Sequence, residues 1–127
     1  MVRYGIHSNW RLMMLVIVIA GFVSVQRGMP VLAWAAFPLE AFRYTRSTLK
    51  LFRSSEHGQR EFCGDCGSQL LFRDITSAKS VDVNIGTLDK PTQVKPECHI
   101  WTESQINWFD IADELPRHRQ DIPEHKT

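Results

Sequence analysis

At 127 residues the chain is long enough for one domain with its own core and too short for two ordinary ones. Its 43% hydrophobic and 23% charged residues are those of a globular protein, and a formal net charge of +1 gives nucleic acid no electrostatic footing as a partner. Three cysteines, two of them in one short turn, cannot make a disulfide framework, so the pattern suits a reducing compartment, with the cytoplasm as the expected location.

Arg3 and Arg11 precede an apolar run from Leu12 to Val25. The run is shorter than the roughly 20 residues a helix needs to cross a bilayer, so a transmembrane helix is not expected. Val16, Ile17, Val18 and Ile19 favour a strand buried on both faces. A basic start, a short apolar centre and the small residue Ala20 fit an export signal as well, which leaves an exported or membrane-attached protein as the alternative. Residues 1–27 are therefore set apart as an atypical apolar N-terminal segment.

Gly28 and Pro30 punctuate the start of the main domain, expected over 28–118. Val31 to Phe37 reads as a strand stopped by Pro38, with Trp34 packed inside, and Pro38 to Phe42 as one helical turn. Phe42–Thr45 and Thr48–Arg53 alternate well enough to be strands with one solvated face, on which Arg43, Arg46, Lys50 and Arg53 form a modest basic strip. Ser54 to Gln59 is a polar loop.

Gln69–Arg73 is expected as a strand. Ser80–Ile85 carries the clearest period of two, with Val81, Val83 and Ile85 on one face and Asp82 and Asn84 on the solvated one. Cys98–Trp101 reads as a further strand, and Ile106–Ile111 as a segment bringing Trp108 and Phe109 to the core. The stretch from Arg117 is polar and expected to fray, with 119–127 as a tail. Many short strands, Gly and Pro turns and no sustained helical period predict a mainly β, single-domain fold.

The stretch Phe62-Cys63-Gly64-Asp65-Cys66-Gly67-Ser68 carries the chemistry. Two thiolates three positions apart can grip one metal ion from a tight turn, and glycines after both cysteines would let backbone amides curl toward the sulfurs. A redox pair would open a helix, but an apolar, extended run follows; haem attachment would need histidine at position 67. Cys63 and Cys66 are thus the candidate zinc ligands. Zinc wants four, so the site is incomplete. Cys98 and His99 are the obvious remaining candidates, yet neighbours on a strand point to opposite faces, and His99 reads better as a hydrogen-bonded structural residue. No catalytic residue is evident: phosphate loops, nucleophile elbows and dinucleotide fingerprints are missing.

Ala33-Trp34-Ala35-Ala36-Phe37-Pro38, Phe42-Arg43, Phe52-Arg53-Ser54-Ser55, the Arg60–Leu70 stretch, Gly86-Thr87-Leu88-Asp89, His99-Ile100-Trp101, Trp108 and Leu115-Pro116 follow in an order that resembles the glutathione-dependent formaldehyde-activating enzyme family, which includes centromere protein V. The resemblance implies a zinc-centred β-tent of short antiparallel strands. It also implies a carbon-sulfur lyase acting on S-hydroxymethylglutathione, the adduct of glutathione and formaldehyde. In the family a structural zinc is held by the Cys-x-x-Cys turn, matched by Cys63 and Cys66, together with an N-terminal Cys-x-Cys. A second zinc near the substrate uses Cys-x-Cys-x-x-Cys.

Where that last motif is expected, this chain has Phe22-Val23-Ser24-Val25-Gln26-Arg27. Valine and serine do not replace thiolates, so impaired or absent activity is expected. Three explanations compete: a degenerate paralogue, a replaced or frame-shifted N-terminal part, or a chain that completes its zinc with a partner; the abrupt change near Gln26–Met29 favours replacement. In the third case two copies would share one zinc through Cys63 and Cys66, making a non-catalytic homodimeric assembly module.

Overall fold

Val81 and Val83 are fully buried, as the alternation at their strand requires, and the rest of the molecule is built outward from that strand. A computed structural model describes residues 3–6, 14–18, 28–46, 49–76, 79–89 and 91–121. Among them are nine strands: β1 (Arg3–Ile6), β2 (Met14–Val18), β3 (Leu32–Pro38), β4 (Phe42–Arg46), β5 (Leu49–Arg53), β6 (Gly58–Cys63), β7 (Gln69–Asp74), β8 (Ser80–Asn84) and β9 (Cys98–Ile100). Helical structure among the described residues is confined to single 3-10 turns, one of them Leu39–Ala41 after Pro38. None of it is long and apolar enough to cross a membrane.

Seven strands form one sheet in the order β5-β6-β7-β8-β3-β2-β9, antiparallel throughout except for the parallel β2–β9 pair; β1 and β4 pair separately. The fold is mainly β, as the turn chemistry predicts. Register places Ala35, Val83 and Leu71 in one row. With Phe37, Phe42, Cys63, Leu70 and Val81 they make the buried cluster on one face. Leu70 and Leu71 are consecutive and both buried because the β6–β7 register shifts between Glu61 and Phe62, a bulge that turns two neighbouring side chains the same way.

Part of the apolar N-terminal run is a strand: Met14–Val18 lies between β3 and β9. Residues 7–13 and 19–27 lie outside the described ones, and the export reading falls partly on them. Several expectations need correction. Trp34 is only half-buried, on the face away from Ala35 and Phe37, with its indole Nε1 buried and without a hydrogen-bond partner among the described residues. Asn84, expected in solvent, is buried because its side-chain amide donates to the Gln69 carbonyl across the sheet (2.8 Å). β5 has no inward face over residues 50–53, all of which are exposed.

Trp108 does not reach the core and is 75% exposed, stacked edge-on against Phe109 in an irregular segment. Residues 117–121 are not frayed. The His99 N–H donates to the Pro116 carbonyl and the His118 N–H to the His99 carbonyl, both at 2.8 Å, and Arg117 bridges His99, so this segment runs along β9 as a strap.

Candidate functional site

The cysteine turn connects β6 to β7. Cys63 is the last residue of β6, and its N–H donates to the Ser68 carbonyl (2.9 Å), while the Gly67 N–H donates to the Cys63 carbonyl (2.8 Å). Gly67 has φ of 76°, a left-handed conformation that closes the turn and that glycine takes without strain. The expected curl is present, but the Gly67 amide is used on a carbonyl oxygen rather than on a sulfur. Cys63 is buried in the core cluster; Cys66 is exposed, with its sulfur 3.1 Å from the Ser68 hydroxyl. The turn is neither the start of a helix nor a disulfide, and none of the three cysteines is disulfide-bonded.

Cys98 and His99 lie elsewhere. They are on β9, five strand spacings from β6 in the sheet order, roughly 24 Å at about 4.8 Å per spacing. Neither can join the cysteine turn. Among the described residues no group of three or more His, Cys, Asp or Glu side chains is placed to hold a metal ion. A tetrahedral zinc fits the Cys63–Cys66 turn by half, and the described residues do not supply the other half.

His99 is fully buried, and its Nε2 meets the Asp113 carboxylate at 2.9 and 2.8 Å, so it is the hydrogen-bonded structural residue the sequence suggested. Its Nδ1 has no hydrogen-bond partner among the described residues. Desolvation pushes the Asp113 carboxyl upward, but the His99 hydrogen bond, the Leu115 N–H and the charges of His99 and Arg117 outweigh it and hold the group below the usual carboxylate range. The Cys98 thiol is buried and pushed up by desolvation and then by Glu97 and Asp121, which keeps it protonated and a poor nucleophile at neutral pH.

A second group, which residue patterns alone do not announce, lies on the face opposite the core. Register aligns Arg60, Phe72, Asp82 and Ala36 in one row and Asn84 with Trp34 in the next. Arg60 is buried with its guanidinium carbon 5.1 Å from the centre of the Phe72 ring, and burial lowers its pKa. Protein atoms around the Asp82 carboxyl, and then the charge of Asp121, push it up to about 7. A carboxyl in that range can take up or release a proton near neutrality. Alternation marked Asp82 as a solvated residue; its desolvation and the charge of Asp121 are long-range effects that period two does not reveal.

These features define a class: a mainly β protein built on one seven-stranded sheet and a separate strand pair, with a cysteine turn at one hairpin. The same fold occurs in a crystal structure of a Rhodobacter sphaeroides protein, with a TM-score of 0.51 and 19% sequence identity over 75% of this chain and 84% of that one. No curated protein matches the sequence significantly. The family model for the glutathione-dependent formaldehyde-activating enzyme matches residues 24–104, and the chain belongs to that family.

Proposed function

We propose that this chain is a carbon-sulfur lyase by descent, directed at S-hydroxymethylglutathione, whose turnover is impaired. The observation that carries the reading is the Cys63–Cys66 turn, kept intact within the family-matched region, in a chain whose only other cysteine lies at the far edge of the sheet. The reaction adds the glutathione sulfur to the formaldehyde carbon, forming a C–S bond as the thiol proton passes to the carbonyl oxygen. It needs a thiolate held beside a polarised carbonyl. With half a zinc site per chain and no cysteine before residue 63, the described groups do not provide that arrangement.

The test is exchange NMR of glutathione with formaldehyde in the presence of the purified chain, alongside metal analysis. Interconversion at the spontaneous rate with binding of the adduct is expected. A strong acceleration would overturn the impairment; neither binding nor acceleration would overturn the assignment to this substrate. Three cysteines outside any disulfide suit a reducing compartment, and we place the protein in the cytoplasm on that ground. An intact N-terminus by mass spectrometry is expected, and cleavage after the Leu12–Val25 run would overturn that placement.

A further inference from the structure

Trp101, just past the end of β9, is the one non-glycine residue with positive φ among those described: its φ of 57° and ψ of 33° lie in the left-handed region. Glycine takes that region freely, whereas a bulky L side chain there is an outlier that persists only where its surroundings impose it. The surroundings here are the strap.

Three consecutive amides carry the constraint. Trp101 N–H donates to the Gln120 carbonyl (3.4 Å), Thr102 N–H to the His118 carbonyl (3.2 Å) and Glu103 N–H to the Arg119 carbonyl (3.3 Å). Successive N–H groups of an extended strand point to opposite sides, so a straight continuation of β9 cannot aim three in a row at one neighbour. A left-handed residue followed by a helical turn can, because it curls successive amides into one concave nest. Trp101 is followed by the 3-10 turn Thr102–Ser104, which Ser104 N–H closes on the Trp101 carbonyl (3.0 Å). The strained bend is thus the condition for three of the strap's bonds.

Little else holds the strap. From Pro116 to Gln120 only His118 is half-buried and the others are exposed. The side-chain ties of Arg119 and Gln120 to Glu103, at 3.8 and 3.1 Å, lie in solvent, where such pairs contribute little. Exposed bonds with little apolar burial open at lower free energy than the core of a sheet.

We propose that the strap and Trp101 form a two-state latch. Closed, Trp101 is left-handed and the three amides are engaged; open, the strap is released and Trp101 relaxes to the extended region while the rest of the sheet stays folded. The two changes are coupled: relaxing Trp101 turns the Thr102 and Glu103 amides away from the strap, and losing the strap removes what offsets the strain. Opening also frees the His99 N–H and carbonyl, which bond Pro116 and His118 at 2.8 Å, so the latch gates the outer backbone edge of β9.

Native-state amide exchange of the full-length chain tests this, with Trp101→Gly and Trp101→Ala as arms. Both variants lose the indole, and they differ in their tolerance of positive φ. In the wild type the amides of His99, Trp101, Thr102, Glu103 and His118 are expected to share one protection factor, at least about tenfold below that of Val81 and Val83. Trp101→Gly should raise the shared factor at least about threefold over Trp101→Ala. Strap amides as protected as Val81 and Val83, or a separate factor for each amide, would overturn the latch. Protection in Trp101→Gly equal to or below that in Trp101→Ala would overturn it too, since the bend would then store no strain. Should either variant fail to fold, the wild-type comparison decides alone.

Discussion

Cys63 and Cys66 stand three residues apart in one turn, yet the first is wholly buried in the core cluster and the second is exposed. Without metal the two thiols therefore do different things. Cys63→Ser puts a hydroxyl among apolar side chains and should cost about 1–3 kcal/mol in urea unfolding. Cys66→Ser should stay within about 0.5 kcal/mol. Equal, large losses that vanish in chelator would mean both sulfurs hold zinc. Thiol labelling gives the same answer independently: Cys66 reacts at once, while Cys63 and Cys98 react only on unfolding.

Asp82 gives stability a pH dependence of unusual sign for a carboxylate. Its pKa rises from an ordinary 3.8 to about 7 on folding, chiefly by desolvation and then by Asp121. Between those values the native state binds the extra proton, so this contribution weakens as pH rises and is gone above about pH 7. A shift of about three units caps the effect at roughly 4 kcal/mol. Asp82→Asn should therefore be the more stable protein at pH 8 and nearly equal to the wild type at pH 4, by urea midpoints at both. A wild type that gains on the variant with rising pH would show that the carboxyl is not desolvated.

Much of the architecture was legible because it rests on local pattern. Val81 and Val83 declare β8 by alternation, Pro38 ends β3, and the Cys63–Cys66 turn is a turn because Gly67 allows it. What was not legible depends on contacts far along the chain. Asn84 looks solvated until Gln69 is placed beside it, and alternation announces neither the desolvation of Asp82 nor the charge of Asp121 acting on it. Trp108 looks like core by composition, but no strand carries it inward. For the site, the missing thiolates were plain in the sequence. That Cys98 lies at the wrong edge to replace them follows only from the strand order.

Glu61 is 2% exposed and its Oε2 lies 2.8 Å from Arg73 Nε, with the Gln59 amide at 3.2 Å. Desolvation raises the Glu61 pKa, and Arg73 opposes it by charge and hydrogen bond. Arg73→Met leaves a buried carboxylate without its cation and should cost about 3 kcal/mol at neutral pH. The loss should shrink as pH falls and Glu61 takes a proton. Glu61→Gln in the Arg73→Met background should recover part of it, and no recovery would mean that Arg73 contributes through packing alone.

The strap along β9 depends on a charge that acid removes. Asp113 is held below the usual carboxylate range while it grips His99, so its contribution is fully present above the ordinary carboxylate pKa and is lost as pH falls through the depressed one. Arg117, 3.5 Å from Asp110 and 3.8 Å from Asp113, ties the same segment from the outside. Asp113→Asn should lower the melting temperature by several degrees at neutral pH and much less in strong acid, where the wild type has lost the same interaction. The amides of His99, Thr102 and His118, which bond across the strap, should then exchange faster than those of Val81 and Val83. Uniform acceleration across the sheet would mean instead that strap and core open as one unit.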